Sequence, residues 1–166
     1  MRGCPCCKLY KVNRVNKLSI PLKFYEETQS FKLFICDLGL LGALSDVPIK
    51  DVLIGSNIFC EYKGAFTEQY VLQQLLATDC KPYYDSNEKG TCELDFVIQR
   101  ERIHPIEVKA EENLKSKSLR TIVNAQEGLT GWRFSMSNYR EQDWLVNVPL
   151  YLVQAWIESQ NADLKE

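Results

Sequence analysis

The stretch Cys92-Glu-Leu-Asp-Phe-Val-Ile-Gln-Arg-Glu-Arg-Ile-His-Pro-Ile-Glu-Val-Lys109 decides how this chain folds. Leu94, Phe96 and Ile98 alternate with Glu93, Asp95 and Val97, and Ile106 and Val108 alternate with Glu107 and Lys109. Period-two alternation in β-branched and aromatic residues predicts two strands, with residues 99–102 as the hairpin turn. A turn centred near Glu101 sets Asp95 across from Glu107 and Glu93 across from Lys109. Side chains opposed in this way lie within roughly 5 Å of each other. Asp95, Glu107 and Lys109 would then share one face, and Leu94, Phe96, Ile106 and Val108 the other.

Two carboxylates that face each other across strands repel and destabilise the pair. A divalent cation removes that penalty, and hard oxygen ligands suit magnesium, which keeps several waters and takes one or two carboxylates. A lysine beside them would hold a phosphate or steady an attacking water, the layout of metal-assisted phosphodiester hydrolysis. The same residues also fit a solvated strand face with a cross-strand Lys–Glu pair, since charge alternation is common on half-exposed strands.

Asp95 followed by Glu107-Val108-Lys109 resembles the PD-(D/E)XK signature of restriction-endonuclease-like nucleases, with Leu94 standing where the name-giving proline would be. A narrower resemblance rests on Phe31-Lys-Leu-Phe-Ile-Cys-Asp-Leu-Gly-Leu-Leu, Lys63-Gly-Ala-Phe-Thr-Glu-Gln-Tyr-Val, Glu93-Leu-Asp-Phe-Val, Ile106-Glu-Val-Lys and Lys117-Ser-Leu-Arg. In this order they are similar to the C-terminal domain of a prokaryotic AAA+ ATPase family, a domain of unknown function (DUF4143). The resemblance covers roughly residues 8–157. It implies Asp95 and Glu107 as metal ligands with the Val108 carbonyl, magnesium or manganese as the ion, Lys109 as the group that orients water, and Glu68 as an assisting acid. No G-x-x-x-x-G-K-[S/T] motif occurs, so the chain lacks the phosphate-cradling loop of an ATPase and no ATP hydrolysis is expected. It reads as the tail of such a protein without its ATPase part.

At 166 residues, 45% apolar and 25% charged, the composition is that of a soluble globular chain with a real core. A formal charge of −2 gives no global field for nucleic acid, so any such contact must come from a local patch. No apolar run is long enough to span a membrane and no signal core follows Arg2, which predicts a cytoplasmic protein. Seven cysteines is an odd number. Cys36, Cys60, Cys80 and Cys92 read as reduced, mostly buried thiols. Cys4, Cys6 and Cys7 form a C-x-C-C cluster, but a closed zinc site needs four ligands and no second pair follows.

Around the hairpin, residues 8–15 and 31–36 alternate as strands, and Asp37 is placed to cap a short helix beginning at Leu38. Residues 63–78 carry the clearest helical periodicity, with Phe66, Tyr70, Val71, Leu72, Leu75 and Leu76 on one face and Glu68 in the first turn. Residues 81–85 read as a strand ending in a turn at 87–90. Lys109, Lys115, Lys117 and Arg120 form the one basic stretch, and a helix starts within Ser116-Lys-Ser-Leu-Arg. Serine hydroxyl, helix N-terminal amides and cations together suit a phosphate, so Lys115, Ser116, Lys117 and Arg120 are candidate nucleic-acid contacts; a capped, solvated helix is the alternative. His104, the single histidine, precedes Pro105 and reads as strand-end packing. Residues 131–137 make a further strand, 138–143 a loop, 145–148 an extended segment, and Pro149 opens a final helix.

The expectation is an α/β sandwich with a restriction-endonuclease-like core: helix, three-stranded meander, helix, strand. Residues 1–50 form an N-terminal strand–helix extension, 51–158 the nuclease-like domain with its C-terminal helix, and 159–166 a frayed tail. The leading function is magnesium-dependent hydrolysis of nucleic acid. The alternatives are an inactive module binding nucleic acid or an ATPase partner, and a non-functional remnant of a larger ATPase, which instability or dimerisation through the N-terminal edge would fit.

Overall fold

The computed structural model describes residues 9–45, 57–86, 93–110, 115–126 and 128–162. Among these, eight strands form one mixed sheet: β1 (Leu9–Val15), β2 (Glu26–Ile35), β3 (Tyr83–Ser86), β4 (Glu93–Gln99), β5 (Ile103–Lys109), β6 (Gly131–Ser135), β7 (Arg140–Gln142) and β8 (Leu145–Pro149). Their order across the sheet is β2-β1-β3-β4-β5-β6-β8-β7. Most neighbours run antiparallel; β1 with β3, β5 with β6 and β6 with β8 run parallel. Four α-helices accompany them among the described residues: α1 (Leu38–Leu44), α2 (Asn57–Ala77), α3 (Lys117–Ala125) and α4 (Val153–Ala162). In chain order, α2, the meander β3-β4-β5, α3 and β6 follow one another as the sequence predicts.

Strand alternation divides the core into two layers. Phe96, Ile98, Ile106, Phe134 and Val148 pack with Leu72 and Leu75 of α2 and Val153 and Ile157 of α4. Val97, Ile103 and Leu145 pack on the opposite face with Leu119 and Val123 of α3 and with Leu22. Each fully buried large side chain contributes about 1.5–3 kcal/mol relative to exposure. Helices therefore cover both faces, as an α/β sandwich requires.

Several local expectations change. Leu94 lies in the α3-side layer and not with Phe96. The cause is an irregular register: Tyr83 pairs with Val97 while Asp85 pairs with Leu94, so β4 carries an extra residue and the alternation slips. The principal helix starts at Asn57, which puts Glu68 at mid-helix and removes it from any first-turn dipole effect. Residues 138–143, expected as loop, include β7, which pairs with β8. Pro149 ends β8; a 3-10 turn, Leu150–Leu152, precedes α4, so residues 159–162 are helical and do not belong to a tail. Asp37 caps α1 as expected, accepting from the Leu40 N–H at 2.9 Å. Cys36 and Cys80 are free thiols but half-buried, not buried. The Cys4, Cys6 and Cys7 cluster and the turn at 87–90 lie outside the described residues.

One close contact fixes α3 on the sheet. A Cβ on Gly131 would stand 2.9 Å from Leu119 Cγ and 3.0 Å from each Leu119 Cδ. Leu119 is fully buried and has nowhere to retreat. Gly131→Ala is expected to cost about 1–3 kcal/mol through this overpacking. An unchanged urea midpoint would show that α3 can slide.

Candidate active site

The hairpin register is the predicted one: Gln99 pairs with Ile103, Ile98 with His104, Val97 with Pro105 and Phe96 with Ile106. Continued by one step it opposes Asp95 to Glu107, but the ladder ends at Phe96. Beyond that point the Val108 N–H donates to Asp95 Oδ2 at 2.6 Å. A carboxylate thus replaces a backbone carbonyl where β4 and β5 part, and this seats Asp95 in the sheet.

Burial is the main reason the Asp95 carboxyl is pushed up to about 7, with the charges of Glu68 and Glu107 adding to it. The Val108 N–H and Lys32 oppose the rise. Glu107, on β5, is 6% exposed. Its Oε1 lies 3.2 Å from Lys109 Nζ, while Oε2 is buried without a hydrogen-bond partner. An unmatched buried acceptor costs about 1–3 kcal/mol. Lys109 thus pairs with Glu107, and the charge of Glu107 acts on Asp95. Glu93 does not face Lys109, because the ladder has already ended; it pairs with Lys32 at 2.6 Å.

Glu68 reaches this group from α2. Lys32 on β2 links the two sides, 3.5 Å from Glu68 as well as paired with Glu93. Burial opposes its charge, yet Glu68, Glu93 and Asp95 together raise the Lys32 pKa. The helix is pinned for this purpose by Gln69, whose Oε1 accepts from the Ile35 N–H at 3.1 Å and whose Nε2 donates to the Ile35 carbonyl at 2.6 Å.

Lys115, Ser116, Lys117 and Arg120 line one cavity at the start of α3. Ser116 stands at the N-cap but makes no side-chain cap bond. Its hydroxyl instead accepts from Arg133 Nη1 at 3.0 Å. Arg133 of β6 pairs in register with Glu107 and is held by Asn147, whose Oδ1 accepts from Arg133 Nε at 2.8 Å. Ser135 Oγ also donates to that Asn147 oxygen, at 2.8 Å.

Lys32, Arg133 and Arg140 went unrecognised in the sequence. Arg133 carried a readable signal: a cation between Trp132 and Phe134, inside a strand buried on both faces, must meet polar partners. Lys32 and Arg140 carried none, since their partners lie far away in the chain. His104 stacks on Trp132 with ring centroids 4.1 Å apart, away from the carboxylates. Burial, reinforced by Arg100 and Arg102, holds its imidazole down to about 4, so it is neutral at physiological pH.

The donor set fits a hard cation in two respects. Both carboxylates are oxygen donors, and Glu107 Oε2 is buried without a partner. No group of three or more His, Cys, Asp or Glu side chains suited to a metal occurs among the described residues. Further ligands would be the Val108 carbonyl and water, in keeping with magnesium. No helix among the described residues is long and apolar enough to cross a membrane.

Residues 63–152, more than half of the chain, match the family model described as Domain of unknown function (DUF4143). No curated protein and no solved structure matches.

Proposed function

The chain belongs to the DUF4143 family, a domain of unknown function, and from its carboxylate pair we propose that it is a divalent-cation-dependent nuclease on a PD-(D/E)XK, restriction-endonuclease-like core. The observation that carries this reading is that Oε2 of buried Glu107 has no hydrogen-bond partner, with Lys109 on the other oxygen and the charge of Glu107 acting on Asp95. Asp95 and Glu107 would hold magnesium or manganese together with the Val108 carbonyl. The bound ion would stabilise negative charge developing on the phosphoryl group. Lys109, anchored by Glu107, orients the attacking water or meets developing charge at the phosphoryl oxygens. Glu68 would assist through Lys32, which it holds at 3.5 Å and whose charge acts on Asp95. The resemblance to AAA+ ATPase C-terminal domains adds an ATPase as a partner.

One observation favours a second reading, an inactive module that binds nucleic acid or protein: among the described residues no three His, Cys, Asp or Glu side chains, Glu68 included, are placed together to hold a metal. Calorimetric titration of wild type and Asp95→Ala with magnesium and manganese, alongside cleavage of mixed DNA and RNA, separates the two. The nuclease reading requires saturable binding that the variant loses and cleavage that needs the ion. Binding without cleavage favours the inactive module, and absence of binding in both proteins removes the catalytic reading.

A further inference from the structure

The cavity at the start of α3 holds about 390 Å³ and is lined by five cations: Lys115, Lys117, Arg120, Arg133 and Arg140. None of the described residues lining it is acidic. Five like charges around one space repel one another, in a chain whose formal charge is −2. Arg133 is only 4% exposed, and burial lowers its pKa, with Arg140 pulling the same way and only Glu107 opposing. Two of the guanidinium groups are held in place: Arg133 by Asn147 and Ser116, and Arg120 over the Trp144 ring at 5.6 Å. Positioned guanidinium groups suit the planar, bidentate recognition of oxyanions, phosphate above all.

The apolar lining is already engaged. Leu145 is buried, and Trp144 packs against the α3-side core while Arg120 covers its ring. Arg120 thus sits over the one aromatic ring among the described residues lining the cavity, and the remaining lining suits an anionic group. The charge of the cavity also selects among phosphates. An internal phosphodiester carries one negative charge, whereas a phosphate monoester carries about −1.5 to −2 near pH 7. The Arg133–Glu107 register sets the cavity one strand, roughly 5 Å, from the carboxylate site. A phosphate held there would lie about one strand away from Glu107.

We propose that this cavity binds the terminal phosphate monoester of a nucleic-acid strand, so that the domain engages strands at an end. The anion site stands on its own observations; its use in cleavage rests on the nuclease reading above. The test is fluorescence anisotropy in EDTA, where no cleavage interferes. Labelled single-stranded oligonucleotides carry a 5′-phosphate, a 3′-phosphate or hydroxyls at both ends. One phosphorylated end is expected to bind about tenfold tighter than the hydroxyl control, the worth of one charge-assisted contact. The exposed-site variants Arg120→Ala and Arg140→Ala, each checked by thermal melting, should lose most of that preference. Equal affinity for all three oligonucleotides overturns the proposal, as does a preference that survives both variants. Inorganic phosphate binding as tightly as the phosphorylated oligonucleotide overturns the strand-end reading. A preference present in EDTA with no cleavage in magnesium would sink only the nuclease reading.

Discussion

Glu107→Gln is expected to lower cation-dependent cleavage on the order of 10³-fold, equivalent to about 4 kcal/mol of transition-state stabilisation. The substitution keeps the shape of the side chain and removes one charge from the cation site. Glutamine still presents an oxygen, so any loss comes from charge and not from packing. Cleavage rates under saturating metal, measured with the variant's metal affinity by calorimetry, give the result. A variant that cleaves within about tenfold of wild type would mean that Glu107 serves structure, through Lys109 and Arg133, and that the metal reading is wrong.

The hairpin that carries Asp95, Glu107 and Lys109 was legible because its information is local. Alternation within residues 93–109 fixes two strands, and a short turn fixes their register. The N-terminal part of α3 was legible for the same reason, since Lys115, Ser116, Lys117 and Arg120 are neighbours in sequence. What stayed hidden depends on distant partners. Lys32 acquires its meaning from Glu68 and Glu93. Arg140 joins the basic cavity only because a three-residue strand pairs with β8. The slip at Leu94 arises from pairing with β3, not from the residues of β4 themselves. Helix α2 begins at Asn57, six residues before the predicted start at Lys63, so Glu68 lies at mid-helix and not in the first turn.

Asp95→Asn is expected to raise stability in metal-free buffer above pH 7. A free aspartate ionises near pH 4. In the fold, burial together with Glu68 and Glu107 pushes Asp95 up to about 7. The folded chain therefore binds this proton more tightly than the unfolded chain. Between about pH 4 and 7 the unfolded state holds fewer protons, so stability falls as pH rises through that window and the loss is complete above it. A shift of this size corresponds to a penalty on the order of 4 kcal/mol. Asparagine removes the charge and can still accept the Val108 N–H through its carbonyl oxygen. In EDTA the variant should melt above wild type at pH 8, by a margin that shrinks through pH 7 and vanishes near pH 4. Magnesium at about 100 times its dissociation constant should then return roughly 2.7 kcal/mol to wild type and little to the variant. Parallel stability curves for the two proteins across this range would show that Asp95 ionises normally. A variant less stable at pH 8 without metal would show that its charge is already matched within the fold. Either result removes the electrostatic reason for a cation at this site.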